Sequence, residues 1–415
     1  MTRSAFSFPA AILLCVVLSV PVFAEPGKIV PFVSVKQEYS DNILFSSSNE
    51  VEDSITTGTV GLVYLYDSER VDARLDGRLY HLFYRDNNQL DSTDGSAFAN
   101  WDYQVTERIG VGAAADYRND SRPDEDLNTT GLLLPGDIEA ANFSVSSNYM
   151  FSEATRGEAT LKYGLNEIEE INTDESNDGI RLDLAFSKNL SKVFENTTGL
   201  FNFSYFHYNA DYETTRNIPG PTTRTTYQNF ASDVAQMYAG FSRDITELYN
   251  FYLQVGASYT KTTEGTRIKS TGASTGDVTL ADQNDSNWGG VLLAGLNYDG
   301  LYYDVGLSIS QDMRGGLGTN GVVQRSAVSL GIDRKFSDGF WVTFDTSCYL
   351  NQNERQTQVD LDDLTFNIQP GFRYEFLETF TLTGLYRFTS IDDRERDTTT
   401  ERNMVYLVIR KDFDL

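Results

Sequence analysis

The chain has 415 residues, of which 60 are Asp or Glu and 33 are Lys or Arg, so its formal net charge is −27. That excess of acid argues strongly against a nucleic-acid-binding protein, because binding to phosphates requires basic stripes. The 24 Tyr, 26 Phe and 32 Gly residues are typical of strands and turns rather than of helices.

The N-terminus has the features of a secretory signal peptide. Arg3 supplies a basic end, a short apolar run follows, and Val22-Phe23-Ala24 is a suitable cleavage site. We therefore expect residues 1–24 to be removed and residues 25–415 to form a single exported barrel domain. An uncleaved membrane helix is the alternative, but the apolar run is shorter than the about 20 residues that a span requires. Cys348 is then the one cysteine of the mature chain, without a partner for an internal disulfide.

From Ile29 onward the chain repeats one pattern, in which alternating polar and apolar runs are joined by connections that are short and long in turn. The short turns recur about every 40 to 50 residues, the spacing of two strands, one turn and one loop. They lie at residues 67–70, 106–108, 153–156, 193–196, 246–247, 299–300, 337–339 and 377–379. The predicted long connections are residues 46–55, 86–95, 119–137, 171–179, 214–228, 268–286, 314–321, 353–360 and 391–400.

This alternation of connections predicts a transmembrane antiparallel β-barrel, in which periplasmic turns are short and extracellular loops are long. Counting the runs gives about eighteen strands, or about sixteen if the ends or one hairpin are misassigned. The expected fold class is therefore all-β, and the expected location is the bacterial outer membrane. An exported soluble β-protein is the alternative, although a closed barrel accounts better for strands in lipid, where open edges cannot lie.

The predicted strands have one apolar face and one polar face. In residues 364–376, for example, apolar side chains occupy the even positions and mostly polar ones the odd positions, as expected for a strand between lipid and a wet interior. Aromatic residues crowd the strand ends beside the short turns, which is typical of a membrane-interface girdle. The charged side chains on the polar face are the predicted pore-lining residues: Arg74, Asp76, Arg78, Asp116, Arg118, Arg181, Asp183, Arg373 and Glu375.

Two stretches resemble a known family. Residues 35–45 (VKQEYSDNILF), and residues 101–108 (WDYQVTER) followed by 116–124 (DYRNDSRPD), resemble outer-membrane beta-barrel porins of the beta-barrel porin 2-like family, which is associated with exopolysaccharide and exosortase loci. The resemblance implies an outer-membrane barrel connected with export of a surface polymer, and it implies no catalytic residues. The terminal strand also resembles the signal read by the barrel assembly machinery, although it ends in Leu415 instead of Phe or Trp.

Catalytic and metal chemistry have little support in the sequence. His81 and His207 fall on the lipid-facing parity whereas Ser204 points inward, so a lipid-modifying outer-membrane enzyme is the less favoured alternative. Residues 174–179 have the oxygen spacing of a calcium loop, but Ala185 stands where a bidentate Glu is required. Two His and one mature Cys support no transition-metal or haem site. We expect no enzyme, no cofactor and no metal site.

The expected function is passive passage of small polar solutes, or support for surface polysaccharide export, through a polar lumen. A sealed structural or adhesive barrel is the alternative. The expected partners are outer-membrane lipids and lipopolysaccharide, the barrel assembly machinery and polysaccharide export components.

Three further expectations concern the lumen and the start of the barrel. The net charge predicts a preference for cations if the lumen is open, unless most acid groups lie in the loops. Residues 268–286 and 119–137 are equal candidates for a constriction loop. Because the first predicted strand begins close to the cleavage site, we expect no plug domain before the barrel.

Overall fold

The computed structural model describes residues 27–122, 127, 131–133, 136–170, 173–218, 222–272, 276–315, 322–353 and 361–413. The predicted signal peptide, residues 1–24, lies outside the described residues. The elements with described bounds are nineteen strands and one 3-10 turn, Asn88–Leu90. Across the described ranges, no helix has the length and apolar character that a membrane span requires.

Apart from one short strand, β12 (Gly276–Thr279), the strands pair antiparallel with their neighbours in chain order. Strands β1 to β10 are Lys28–Ser40, Asp53–Asp67, Val71–Tyr84, Ser92–Thr106, Ile109–Asp120, Asp137–Ser152, Thr155–Glu170, Thr173–Asn189, Thr197–Ile218 and Thr222–Asp244. Strands β11 to β19 are Tyr249–Gly272, Gly276–Thr279, Gln283–Asp299, Tyr303–Gly315, Val322–Ser337, Phe340–Asn353, Leu361–Phe376, Phe380–Asp393 and Thr398–Asp412.

The sheet is closed, because β1 pairs with β2 on one side and with β19 on the other. β11 pairs directly with β13 from Tyr249 to Glu264, whereas the short β12 pairs only with residues 267–270 of β11. Eighteen strands therefore form the ring, and β12 extends the connection between β11 and β13. The predicted all-β, eighteen-stranded antiparallel barrel is confirmed, and the alternative of sixteen strands is wrong.

The short connections lie where the sequence predicts them, all at the end of the barrel where β1 begins. Polar side chains explain why the chain reverses there, since Ser and Thr hydroxyls can replace a backbone acceptor in a tight turn. Three hydroxyls accept a hydrogen bond from the backbone N–H three residues on: Ser68 from Val71 at 3.1 Å, Thr106 from Ile109 at 3.1 Å, and Thr246 from Tyr249 at 3.2 Å.

Several of the predicted long connections are mostly strand. β8 already begins at Thr173, and β9, β10 and β11 have 22, 23 and 24 residues, more than twice the about 10 that cross a membrane. They occupy most of the predicted loops 171–179 and 214–228, and together with β12 and the start of β13 they occupy most of 268–286. The loop predicted at 391–400 shrinks to 394–397. Polar residues at both even and odd positions of a segment predict a loop. Thr-rich segments nevertheless favour extended strands when neighbouring strands pair with them.

The outer face of the ring carries an apolar band between two sets of aromatic side chains. On β13, Tyr298 contacts Tyr249 near the short turns at a ring distance of 4.7 Å, and Trp288 contacts Tyr259 at 5.1 Å near the opposite limit. The ten residue steps between Tyr298 and Trp288 rise by about 25 Å for strands tilted by about 40°. That height matches the hydrocarbon thickness which outer-membrane barrels cross.

The wall is incomplete between β13 and β14. These strands pair only from Asp299 to Leu292 of β13, and above that level β14 bends into the barrel. Within the described residues, positions 283–291 of β13 therefore pair with β11 alone. The side-chain amide of Gln311 donates to the carbonyl of Gly290 at 3.4 Å, at the point where the two strands part.

Candidate functional site

The inner face of the ring follows from the cross-strand register. Arg78 on β3 lies opposite Ser96 on β4, and Ser96 lies opposite Arg118 on β5. Side chains of this face surround a first cavity of about 760 Å³. Its charged lining residues are Lys36, Asp76, Arg78, Asp116, Arg118 and Arg410.

A second cavity of about 520 Å³ continues along β5 to β9. It shares Asp116, Asn142 and Asn166 with the first cavity, so the two are contiguous. Its other charged side chains are Lys162, Arg181 and Arg314. Charged and amide side chains thus border a continuous space along one half of the inner wall.

All nine predicted pore-lining residues lie on this inner-facing parity, in three separate places. Arg74, Asp76 and Arg78 form one cluster on β3, and Arg118 lies near it across β4 beside Asp116 on β5. Arg181 and Asp183 lie on β8, and Arg373 and Glu375 lie near the periplasmic end of β17. That solutes pass beside these residues stays a prediction.

One local pattern recurs on six strands of the inner face, where an acidic and a basic residue two positions apart form an ion pair. The distances include 3.1 Å between Arg78 Nη2 and Asp76 Oδ1, and 2.8 Å between Arg314 Nε and Asp312 Oδ2. We call these the inner-face ion pairs: Lys36 with Glu38, Arg74 and Arg78 with Asp76, Arg181 with Asp183, Arg314 with Asp312, Arg373 with Glu375, and Arg410 with Asp412.

The sequence reasoning missed several members of this set. Lys36, Arg314 and Arg410 were not among the predicted residues, yet each has an acid two positions away. Residues two apart on a strand share one face, so a search for that spacing finds them. Lys162 was also missed, because its partner Asp183, at 3.2 Å, lies on the neighbouring strand.

The connection between β5 and β6 crosses the lumen. Leu127 is fully buried and packs with Phe45 and Ile391, and the hydroxyl of Thr365 donates to the carbonyl of Gly131 at 2.6 Å. Thr365 and Ile391 belong to β17 and β18, on the far side of the ring from β5 and β6. Of the two predicted constriction loops, the described part of residues 119–137 therefore reaches into the lumen, whereas the described part of residues 268–286 mainly continues the wall.

A buried ion pair fastens this connection to β1. The guanidinium of Arg122 donates to both carboxylate oxygens of Glu38, at 2.6 and 3.3 Å. Lys36 donates to the same carboxylate at 2.8 Å. Because Glu38 is only 1% exposed, its charge requires such partners, and loss of one of them would leave a costly buried carboxylate.

A second segment also enters the lumen near its extracellular end. The upper part of β14 and the first residues of β15 pack against the inner faces of β9 and β10. Met313 and Val322 contact a cluster that contains Phe206 and Phe230, and the side-chain amide of Gln236 donates to the Met313 carbonyl. Two inward segments therefore narrow the lumen from opposite directions.

The two histidines do not share a face with the nearest serine. His207 lies on the outer face, with Nδ1 2.9 Å from Oδ1 of Asp233, and the Tyr205 hydroxyl donates to the same oxygen at 2.6 Å. Ser204 is buried on the inner face of the same strand. His81 lies on the outer face of β3, 2.6 Å from the Thr93 hydroxyl.

The calcium-loop-like segment has become part of a strand. Residues 174–179 lie in β8, where Glu175 is buried and accepts hydrogen bonds from Tyr212 at 2.9 Å and from Asn177 at 3.2 Å. Among the described residues, no group of three or more His, Cys, Asp or Glu is placed to hold a metal ion. Cys348 is a free thiol on β16.

Two carboxyl groups at the extracellular strand ends have shifted pKa values. Burial raises the pKa of Asp53, but hydrogen bonds from Asn87 and Asp86 outweigh it, so the net pKa is lowered. These bonds hold the β3–β4 connection against β2. Burial raises the pKa of Asp363 to about 6, and the facing carboxylate of Asp393 adds to the increase.

Two solved structures are similar to this chain over most of their length. The closed form of the ferric-catecholate import receptor Fiu from E. coli K12 has a TM-score of 0.54 and 8% sequence identity, and the open form has 0.51 and 9%. Each alignment covers 94% of this chain and 82% of the receptor. No family model matches the chain, and no curated protein matches it. The closed ring, its apolar band and this likeness of fold identify the chain as a β-barrel protein of the bacterial outer membrane.

Proposed function

We propose that this protein is a passive channel for small polar solutes. The observation that carries the proposal is the pair of contiguous cavities along the inner wall, of about 760 and 520 Å³, which charged and amide side chains line. Such a lining stabilises water and polar solutes, and barrels of about eighteen strands are wide enough to leave an aqueous channel. Passage is by steric and electrostatic filtering, without catalysis or energy coupling.

The β5–β6 connection supplies the size filter in this proposal. Leu132 packs against Ile138, Ala140 and Ile168 of the wall, and Ala140 also borders the first cavity. The cavity therefore adjoins the segment that crosses the lumen. We expect solutes to pass beside this segment, with Arg122 and Glu38 holding it in place.

Single-channel recording tests this function directly. The protein, purified from outer membranes in detergent, is added to a planar lipid bilayer, and stable conductance steps are expected. A barrel that is folded and heat-modifiable but produces no steps would overturn the channel proposal. That result would favour a sealed structural or adhesive barrel.

A second candidate function is support for surface polysaccharide export. A cleft of about 360 Å³ lies beside the free part of β13, at the extracellular side. Amide and hydroxyl side chains both donate and accept hydrogen bonds, as sugar hydroxyls require. Those that line the cleft are Thr260, Thr262, Gln283, Asn284, Ser286, Asn287, Gln324, Gln352 and Asn353.

Intrinsic fluorescence tests this second function, because Trp288 borders the cleft and is 72% exposed. Titration with a neutral oligosaccharide is expected to change the emission of the wild-type protein, and Trp288→Phe is expected to abolish the change. Trp101→Phe is the matched control, since Trp101 lies on the outer face of β4 away from the cleft. An unchanged wild-type emission, or a change that Trp288→Phe retains, would count against sugar binding in the cleft.

The expected partners belong to the same proposal. The outer apolar band is suited to lipid, with lipopolysaccharide around its extracellular limit. Val405, Leu407 and Ile409 lie exposed on one face of β19, as a strand recognised by the barrel assembly machinery would present them. Polysaccharide export components are partners only under the second candidate function.

A further inference from the structure

We infer that the lumen selects anions, and specifically small solutes that carry carboxylate or phosphate groups, although the whole chain has a net charge of −27. The inference rests on the proposed channel function and concerns the same inner wall. It is the opposite of the preference that net charge alone predicts.

The two charges of each inner-face ion pair lie at different depths. In every pair the basic side chain is more exposed than its acidic partner. On β3, Asp76 is 8% exposed, between Arg74 at 51% and Arg78 at 47%. On β14, Asp312 is 16% exposed and Arg314 is 43% exposed. The carboxylates lie against the wall, and the guanidinium groups project from it.

Side-chain length explains this arrangement. Asp has a short stem, so its carboxylate stays near the backbone, whereas Arg reaches over it with a planar group that has five N–H donors. One or two donors bind the carboxylate, and the remaining donors face the lumen. At these pairs, a solute inside the barrel therefore meets donors that are arranged for carboxylate or phosphate more readily than the carboxylates behind them.

Where charged side chains cluster on the inner wall, the basic ones outnumber the acidic ones. Asp76 is shared by Arg74 and Arg78, and Asp183 is shared by Arg181 and Lys162. Glu38 likewise contacts both Lys36 and Arg122. Each of the clusters around Asp76 and Asp183 has two positive charges and one negative charge, so each adds net positive charge to the inner wall.

The linings of the first and second cavities have the same sign, whereas the charged residues of the cleft beside β13 are Glu264 and Asp285. Four Lys or Arg against two Asp line the first cavity, and three Lys or Arg against one Asp line the second. Of the other inward-facing acids, Asp102 and Asp345 lie nearer the periplasmic turns, whereas Asp363 and Asp393 lie at the extracellular strand ends, and none of these four borders the two cavities. Ion selectivity depends on the charges at the narrow part of a pore. Dissolved ions largely screen the field of charges that lie more than about 8–10 Å away.

The test is the reversal potential of the purified barrel in a planar bilayer under a KCl gradient. The wild-type channel is expected to be more permeable to chloride than to potassium, and inorganic phosphate is expected to reduce the chloride current. A variant with Arg78→Gln, Arg181→Gln and Arg314→Gln is expected to shift the permeability ratio several-fold toward potassium. Arg267→Gln is the matched control, because Arg267 pairs with Asp277 on the extracellular extension of β11, outside the lumen.

If the triple variant does not fold, a single variant that is expected to shift the permeability ratio in the opposite direction still tests the proposal. Asp76→Asn removes the carboxylate between two arginines and is expected to increase the preference for chloride. Conductance steps with potassium preference in the wild type, or no shift in either variant, would overturn anion selection and leave the channel function intact. A silent, folded wild-type barrel would instead contradict the channel function itself.

Discussion

A buried carboxyl group at the extracellular end of β17 illustrates how one residue responds to pH. Asp363 lies opposite Asp393 in the register, and its pKa is raised to about 6 by burial and by that neighbour. Because the folded chain holds a proton there that the unfolded chain has released, stability increases as pH falls from about 6 toward about 4. Above about pH 6 the ionised carboxylate is unfavourable in the folded barrel.

We therefore expect Asp363→Asn to stabilise the barrel at about pH 7.5 and to have little effect at about pH 4. The expected gain is about 1 kcal/mol, less than the full pKa shift would give, because solvent partly screens this group. The temperature at which heat-modified gel mobility changes measures it at both pH values. Asp338→Asn is the control, since Asp338 is fully exposed in a periplasmic turn. Equal effects of Asp363→Asn at both pH values would contradict the assignment.

At the scale of elements, the β5–β6 connection depends on a backbone conformation that favours glycine. Gly131 has a φ of +74°, and a Cβ added there would lie 2.4 Å from Cβ of Tyr349. A β-branched residue in that conformation costs about 1–3 kcal/mol in backbone strain, and the contact with Tyr349 adds to it. The connection therefore cannot keep its place across the lumen once this glycine is replaced.

Gly131→Val is expected to release the connection from the lumen, with higher single-channel conductance and faster cleavage by a broad-specificity protease added outside. The control is Gly276→Val on β12, where an added Cβ meets nothing within 4 Å. If Gly131→Val has the wild-type conductance and protease resistance, then the connection does not limit passage.

The elements also show where sequence reasoning succeeds and where it stops. Turn residues such as Ser68 and Thr106 act through local hydrogen bonds, so a local pattern predicts them. Residues 214–218 and 222–228 are mostly polar on both faces, and they are strands because neighbouring strands pair with them. The side-chain hydroxyl oxygens of Thr215 and Thr225, for example, lie 3.2 Å apart across β9 and β10. The contact of Gly131 with Thr365 joins distant parts of the chain, which no local pattern encodes.

At the scale of the whole molecule, the strand count, the closure and the inward parity of residues such as Asp76 could be predicted, because period-two alternation extends through the entire chain. The sign of the field inside could not be predicted from net charge. The net charge of the sequence counts Asp76 and Arg78 with equal weight. In the folded barrel, however, the side chain of Arg78 is much more exposed than that of Asp76. Ion preference is thus a property of where each charge lies.

The parting of β13 from β14 has a consequence for how the molecule comes apart. Eight residue pairs join these two strands, whereas 23 pairs join β10 to β11. When a closed barrel is heated or stretched, we expect it to open first between the two strands that share the fewest residue pairs. Separating those strands breaks the fewest cross-strand hydrogen bonds and so requires the least free energy. Amide protons along residues 292–299 would then exchange with solvent before those of β10. The barrel would therefore open by separation of β13 from β14, beginning at its extracellular end.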